Sequence, residues 1–253
     1  MSEIEEQAAL DHTAGLTQWQ RVSDTFTAPS KTFEDIKRGN RSWWMPFLLM
    51  VVVGYIFFAA ITLKIGWPQV AENAIHMNPK QEEKLQQAPD AQREQIMKYT
   101  QYGMEYGFAA APLLILLFGA IAVVVVWGTI NFVFAGKATF SQVFAVWMYA
   151  SLPTLLKSLL GTVVIFAGLA PESFNLENPA PTSVGAFVSP QDVGPALYKL
   201  AGSVDVTLIW YLALFSIGAA MVAGVKRSSG YITVFGWWAI VVLFTVGIAA
   251  IRG

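Results

Sequence analysis

Cysteine is absent from the chain, and only two histidines, His12 and His76, are present. Without thiols the chain can form no disulfide, no thiolate metal site and no catalytic thiol. The two histidines lie far apart in sequence and outside the apolar runs, so a histidine-based metal site within one chain is not expected. The sequence therefore predicts neither a metal nor a cofactor.

Charged side chains are scarce. Asp, Glu, Lys and Arg make up 13% of the chain, while hydrophobic residues make up 55% and the mean hydropathy is +0.50. Soluble domains carry about 25% charged residues, so the deficit indicates a membrane protein. The formal net charge is −1. Because the chain lacks the basic surface that nucleic-acid binding requires, no nucleic-acid partner is expected.

The common catalytic motifs are also missing. The sequence contains no H-E-x-x-H pattern, no G-x-S-x-G pattern and no G-x-x-x-x-G-K-[ST] phosphate loop. Asp205 stands alone at the start of an apolar run, whereas an intramembrane aspartyl protease would need two carboxylates. The sequence therefore predicts a protein that is not an enzyme.

Long apolar runs dominate what is present, and the one from Gly107 to Ala135 has no charged side chain. About 20 apolar helical residues cross the roughly 30 Å hydrocarbon core of a bilayer. A helix satisfies its backbone hydrogen bonds internally, as lipid requires. We therefore predict an all-α polytopic membrane protein, a bundle of five transmembrane helices with short N-terminal interfacial helices. The expected spans, within a membrane domain of residues 42–253, are 42–63, 107–135, 140–169, 204–225 and 231–251.

The region before the first span divides into two parts. Residues 1–15 are acidic and lack the features of a signal peptide, so we expect a disordered, solvated tail. Residues 16–41 show helical spacing of apolar side chains, interrupted at Ala28-Pro29. Either the two short helices lie on the membrane surface, or they form a small soluble cap packed against the spans. The surface alternative turns Trp19, Phe26, Phe33 and Ile36 toward lipid and Arg21, Lys31, Lys37 and Arg38 toward headgroups.

Basic residues near the span ends predict the orientation, because cytoplasmic flanks carry an excess of Lys and Arg. Five spans place the chain ends on opposite sides, and the bias favours a cytoplasmic N-terminus with the C-terminus outside. A C-terminal reporter found in the cytoplasm would contradict this orientation. The inner flanks would carry Lys31, Lys37, Arg38, Arg41, Lys137, Lys226 and Arg227, and the outer flanks Lys64, Lys98, Lys199 and Arg252.

Lys157 is the most informative charged residue, because it lies inside the third apolar run. It follows Phe140 by about 25 Å of helix, which places it in the outer half of the membrane. A charge inside a span is costly unless it is paired or snorkels to the interface. Asp205 opens the fourth span from the same side, so we predict a structural ion pair between the two. A proton or ion relay is the functional alternative.

Pro153 lies one helical turn before Lys157 and cannot donate a backbone hydrogen bond. It predicts a helix break within the third run. Two interpretations stay open at this point. The run is either one kinked helix, or a span that ends near Lys157 followed by a separate piece over residues 158–169.

Several stretches, taken in their order along the chain, resemble a known family. The stretches are Phe26-Thr-Ala-Pro-Ser-Lys-Thr-Phe-Glu-Asp-Ile36, Trp43-Trp44-Met-Pro46, Tyr149-Ala-Ser-Leu-Pro153 and Ser203-Val-Asp205-Val-Thr-Leu-Ile-Trp210, followed by Gly218 and Gly224-Val-Lys-Arg227. In this order they resemble the YIP domain (Ypt-interacting membrane proteins) in its bacterial form, over about residues 20–250.

The resemblance implies five spans, a cytoplasmic N-terminus and no catalytic residue. Eukaryotic relatives bind Rab-type GTPases and act in vesicle traffic, a role that does not carry over directly to a bacterial-type chain. The implied function is a scaffold or adaptor in the bacterial inner membrane, acting in membrane organisation or trafficking. Its partners would be the lipid bilayer and a protein bound at the cytoplasmic N-terminal segment. The alternative is a transporter or channel component that uses Lys157 with Asp205.

Overall fold

The computed structural model describes residues 15–252, so the tail predicted for residues 1–15 lies outside the described residues except for Gly15. The protein is 81% helical. Between residues 15 and 252 there is no β-strand, only an isolated antiparallel bridge between Ser183 and Asp205. The predicted all-α fold class is confirmed.

The helices are named α1 to α13 in chain order. Three short 3-10 turns, Leu152–Thr154, Pro171–Ser173 and Val184–Phe187, lie between them. The helices are α1 (Gln18–Thr27), α2 (Pro29–Arg38), α3 (Trp44–Lys64), α4 (Trp67–His76), α5 (Pro79–Gln87), α6 (Asp90–Ala109), α7 (Ala111–Phe132), α8 (Phe140–Ala150), α9 (Leu155–Phe166), α10 (Pro190–Val193), α11 (Pro195–Ser203), α12 (Val206–Ala223) and α13 (Arg227–Arg252).

Five helical segments are long and apolar enough to cross a membrane, which confirms the predicted five-span membrane protein. The bounds differ from the predicted ones by a few residues, most of all at the starts of the second and fifth spans. The second span begins at Ala111, because the chain leaves helical geometry at Ala110 and Pro112 lies in the first turn of a new helix. The fifth begins at Arg227, because the left-handed Gly224 (φ 70°) already ends α12. The five segments are Trp44–Lys64, Ala111–Phe132, Phe140–Phe166, Val206–Ala223 and Arg227–Ile251.

The third span consists of two helices, α8 and α9, joined by a 3-10 turn that contains Pro153. The Thr154 hydroxyl donates to the Ser151 carbonyl at 2.7 Å within this turn. The turn lets the chain continue as helix on both sides of the proline. The helix break therefore lies at Pro153, and α9 carries Lys157.

The span ends define two faces of the bundle. The N-terminal face holds the start of α8 and the end of α12, where the Lys137 N–H donates to the Ala223 carbonyl at 3.0 Å. The opposite face, called the loop face below, holds α4 to α6 and the proline-rich segment of residues 167–203. There the Lys80 Nζ donates to the Ile251 carbonyl at 3.0 Å.

The first two helices form a hairpin that packs along the bundle. Phe33 and Ile36 of α2 are fully buried in the main core. An added Cβ at Gly218 would overlap Val146 and lie 3.0 Å from the Phe33 ring, so the missing side chain makes room for both. Phe26 packs edge to face on Trp210, with ring centroids 5.6 Å apart. Gly218 and Trp210 are about 12 Å apart along α12, so the hairpin lies beside this helix.

This packing corrects the surface alternative for Phe33 and Ile36. Their side chains contact other helices of the protein and are not available to lipid. The reason is that α2 packs between two neighbouring helices, α8 and α12. The Phe33 ring makes more van der Waals contacts there than it would at the membrane surface. Trp19 and Phe26 are exposed, and their contact with lipid stays a prediction.

Burial is uneven among the helices. The helix α8 is buried along most of its length, with Val143, Ala145 and Val146 among its fully buried residues. By contrast, only 6% of the apolar window of α13 is buried within the protein. In a membrane protein such an open apolar surface faces lipid. The helix α13 is therefore the outer wall of the bundle.

Candidate functional site

The structure brings together the two residues predicted to form an intramembrane ion pair. The Lys157 Nζ lies 3.1 Å from Asp205 Oδ2, and the side chains are 24% and 3% exposed. The two residues come from different parts of the chain and lie toward the same face of the bundle. Lys157 follows the Pro153 turn by one turn of α9, and Asp205 precedes α12.

Asp205 is the N-cap of α12. Its Oδ1 accepts hydrogen bonds from the backbone N–H groups of Thr207, at 2.8 Å, and Leu208, at 3.2 Å. Its Oδ2 accepts one from the Thr182 hydroxyl at 2.8 Å. An N-cap carboxylate satisfies N–H groups that have no partner within the helix and interacts favourably with the helix dipole. The negative charge is therefore stabilised by the cap as well as by Lys157.

Lys157 joins this cap to the proline-rich segment. Its Nζ also donates to the Glu177 carbonyl at 3.2 Å. Nearby, Pro179 lies so close to α9 that a Cβ added at Gly161 would be 3.1 Å from the Pro179 Cβ. The cluster of Lys157, Asp205 and Thr182 therefore fastens the segment to α9 and α12.

The transporter or channel alternative is not supported by this arrangement. Asp205 uses both carboxylate oxygens within the cluster, and Lys157 uses its amine to hold the Glu177 carbonyl. Two cavities of about 520 and 560 Å³ lie at the loop face, and neither is lined by Lys157 or Asp205. The arrangement accounts for both charges by their structural contacts.

We expect Asp205→Ala to destabilise the protein more than Lys157→Met. The aspartate change removes a helix cap and leaves the lysine unpaired, for about 2–4 kcal/mol. The lysine change leaves the buried Asp205 carboxylate without its counter-ion, but the hydrogen bonds from Thr182, Thr207 and Leu208 remain and limit the cost to about 1–2 kcal/mol. Thermal unfolding in mild detergent measures both effects. Wild-type stability in both variants would show that the pair is unimportant.

A second ion pair lies in the N-terminal hairpin. Arg21 is fully buried, and its Nε is 2.8 Å from Asp35 Oδ2. Its Nη1 donates to the Ser42 carbonyl at 3.0 Å, and its guanidinium lies 5.5 Å from the centre of the Tyr149 ring. The Tyr149 hydroxyl donates to Gln18 Oε1 at 2.7 Å. The prediction that Arg21 lies near headgroups is wrong, because this side chain connects α1, α2 and α8 in the interior.

The sequence carries a signal for this pair. Arg21 and Thr25 are spaced i,i+4 on α1, and Thr32 and Asp35 are spaced i,i+3 on α2, so each helix has a short polar stripe. All four residues are buried. The hydroxyls of Thr25 and Thr32 both donate to the Arg21 carbonyl, at 2.7 and 3.0 Å. When two consecutive short helices each carry a polar stripe, the pattern indicates that the two stripes pack against each other.

The fold and these two clusters define a class of protein. It is an all-α polytopic membrane protein with five spans, in which an N-terminal helical hairpin is built into the bundle. Comparison with protein families identifies the class more closely. The Yip1 domain matches residues 23–249, and the chain belongs to the Yip1 domain family. The resemblance to the YIP domain is confirmed.

The matched region holds most of both clusters. It includes Asp35, Lys157 and Asp205, and it begins just after Arg21. Comparisons with curated proteins and with solved structures found no significant match. The Yip1 family is not known for enzymatic activity.

Proposed function

We propose that the protein is a non-enzymatic scaffold or adaptor in the bacterial inner membrane, with its N-terminus in the cytoplasm and its C-terminus outside. Membership of the Yip1 domain family supports a membrane protein of this type. The missing catalytic motifs support a role in binding, and the distribution of basic residues supports the orientation. The single observation that carries the proposal is the firmly anchored N-terminal hairpin with an exposed outer surface.

The hairpin is held in place from the inside. Phe33 and Ile36 bury it in the main core, and the Arg21–Asp35 pair joins its two helices. When a partner binds a preformed surface, no flexible segment has to become ordered. Less of the binding free energy is then lost as conformational entropy. This favours the hairpin as a docking surface over a flexible segment.

The outer surface of the hairpin combines an aromatic side chain with basic ones. Trp19 is 64% exposed, and Lys31, Lys37 and Arg38 are exposed as well. Tryptophan and arginine are enriched among the residues that dominate protein interfaces. An exposed aromatic side chain and exposed basic residues on the same hairpin favour a partner with an apolar pocket and an acidic surface. We therefore propose that Trp19 contacts a cytoplasmic protein partner of this chemistry, in place of the lipid contact that the surface alternative predicts for it.

Co-purification in mild detergent, with partners identified by mass spectrometry, tests the proposal. We expect a stoichiometric partner that is lost in Trp19→Ala, because truncating an interface anchor costs about 2 kcal/mol or more. Deleting residues 16–41 would be uninformative, since it also removes Phe33 and Ile36 from the core.

Leu243→Ala is the control. Leu243 is an exposed residue of α13, so this variant should retain the partner. The proposal fails if no partner co-purifies with the wild type. It also fails if Trp19→Ala and Leu243→Ala retain the partner equally.

A further inference from the structure

The two cavities of the loop face adjoin each other. They have volumes of about 520 and 560 Å³, within the range of roughly 300–1,000 Å³ typical of ligand sites. Because they share wall residues, they form one continuous cleft, called the loop-face cleft below. The shared residues are Asn73, Met77, Asn175, Pro190 and Tyr198.

The two ends of the loop-face cleft differ in chemistry. Met104 of α6 and Ile248 and Ala249 of α13 line one end. Since α13 is the outer wall of the bundle, this end adjoins the lipid-facing surface. The other end is lined by polar and acidic side chains, Gln69, Glu72, Glu172 and Gln191, and Lys199 and Glu177 lie in the wall of the first cavity together with the shared Tyr198. An amphiphile fits a cleft that is apolar beside the lipid and polar beside the water.

Hydrogen bonds between separate segments hold the walls of the cleft. The Asn73 side chain of α4 donates to the carbonyls of Pro171 and Phe174, at 2.8 and 2.9 Å. The Gln191 side chain donates to the His76 carbonyl at 3.0 Å. The walls are therefore pre-organised, which lowers the entropic cost of binding.

The Tyr198 hydroxyl supplies a hydrogen-bond donor inside the cleft. Asn175 Oδ1 accepts the backbone N–H groups of Glu177, at 2.9 Å, and Asn178, at 3.3 Å, which orients its amide nitrogen toward Tyr198. The Asn178 amide also donates to the hydroxyl oxygen, at 2.8 Å. Because this oxygen accepts from both amides, its proton can be donated to a ligand oxygen.

The charged residues that line the apolar-ended cavity, Lys199 and Glu177, form one neutral pair, while Glu72 and Glu172 line the other cavity. The Lys199 Nζ lies 2.9 Å from Glu177 Oε1, and both side chains are exposed. Both residues line the apolar-ended cavity. An adjacent cation and anion complement a headgroup that carries a phosphate and an ammonium group, whereas a purely anionic headgroup would leave Glu177 repelled. The charge pattern therefore selects a zwitterionic headgroup.

We propose that the loop-face cleft binds one zwitterionic glycerophospholipid from the adjoining leaflet. The phosphate lies at Lys199, the ammonium group at Glu177 and an ester oxygen at the Tyr198 hydroxyl. One acyl chain leaves the cleft between Met104 and Ala249 toward the bilayer. This site is separate from the N-terminal hairpin and does not depend on the scaffold function.

Native mass spectrometry of the delipidated full chain in mild detergent tests the site. The probes are phosphatidylethanolamine, the anionic phosphatidylglycerol, and diacylglycerol, which has no headgroup. We expect one bound phosphatidylethanolamine, retained about tenfold more tightly than the other two. Equal retention of all three lipids would show unspecific association with the bundle and would overturn the proposal.

A matched pair of variants locates the site. Ala249→Trp fills the apolar end of the cleft and is expected to weaken phosphatidylethanolamine retention by about tenfold or more. Ala250→Trp adds the same side chain at the neighbouring exposed residue, which does not line the cleft, and should retain the lipid. Equal retention by the two variants would place the lipid elsewhere and overturn the proposal.

The double variant Lys199→Ala/Glu177→Ala tests the headgroup contacts without filling the cleft. It changes exposed side chains only, so the thermal midpoint should stay at the wild-type value. Phosphatidylethanolamine should lose its advantage over diacylglycerol. An unchanged preference for phosphatidylethanolamine over diacylglycerol would show that the ion pair does not bind the headgroup. That result would overturn the zwitterionic assignment.

Discussion

Replacing Asp35 by asparagine is expected to destabilise the protein by about 3–5 kcal/mol, because Arg21 then becomes an unpaired buried charge. The Arg21 side chain is 0% exposed, and Asp35 is its carboxylate partner at 2.8 Å. The effect should be large because the guanidinium cannot lose its proton in the interior. Thermal unfolding in mild detergent gives the size of the loss.

Glu34→Gln is the matched control on the same helix. Glu34 pairs with Arg38 at 3.5 Å, but both side chains are largely exposed. Exposed pairs contribute about 0–1 kcal/mol, so this variant should unfold close to the wild type. If Asp35→Asn and Glu34→Gln lower the free energy of unfolding equally, the buried pair contributes no more to stability than the exposed one. Replacing both Arg21 by Met and Asp35 by Leu should recover part of the loss, since no charge is left unpaired.

Substituting Gly230 by alanine is expected to separate α12 from α13, with a loss of about 1–3 kcal/mol or more. An added Cβ would overlap the Ser216 carbonyl oxygen and lie 2.9 Å from the Ala220 Cβ. The two helix backbones meet at this point, as they do where small residues line an interface between transmembrane helices. The measurement is again thermal unfolding in mild detergent.

Gly236→Ala, on the same helix, should have the opposite sign. Nothing lies within 4 Å of a Cβ added there. Alanine in a helix is more stable than glycine by roughly 0.5–1 kcal/mol, so this variant should equal or exceed the wild type. If both alanine variants are as stable as the wild type, close packing at Gly230 does not hold the two helices together.

The sequence was informative about features that a single stretch of the chain determines without its neighbours. The five spans were predictable because a run of apolar residues long enough to cross a bilayer must be helical there, whatever it packs against. The helix break at Pro153 was also predictable, because proline lacks a backbone N–H at any position of a helix. Lys157 and Asp205 could be paired because each charge needs a partner and both lie toward the same side of the membrane.

The sequence was misleading where the answer depends on what a helix packs against. The apolar positions of α2 indicated an amphipathic helix, but this pattern cannot distinguish a lipid surface from a groove between α8 and α12. Arg21 was assigned to the headgroups because the surface alternative laid both short helices on the membrane with their basic residues outward. Its burial requires Asp35, Ser42 and Tyr149 at once, and Tyr149 lies far away along the chain.

By itself the sequence therefore determined an all-α membrane protein with five spans and its likeness to the YIP domain, because hydrophobic length and short ordered stretches are local properties. The tertiary structure decided the position of the N-terminal hairpin, the partner of Arg21 and the existence of the loop-face cleft. These depend on distances between segments such as α4, α11 and α13. Such distances follow from how the helices pack together, which no single stretch of the chain encodes.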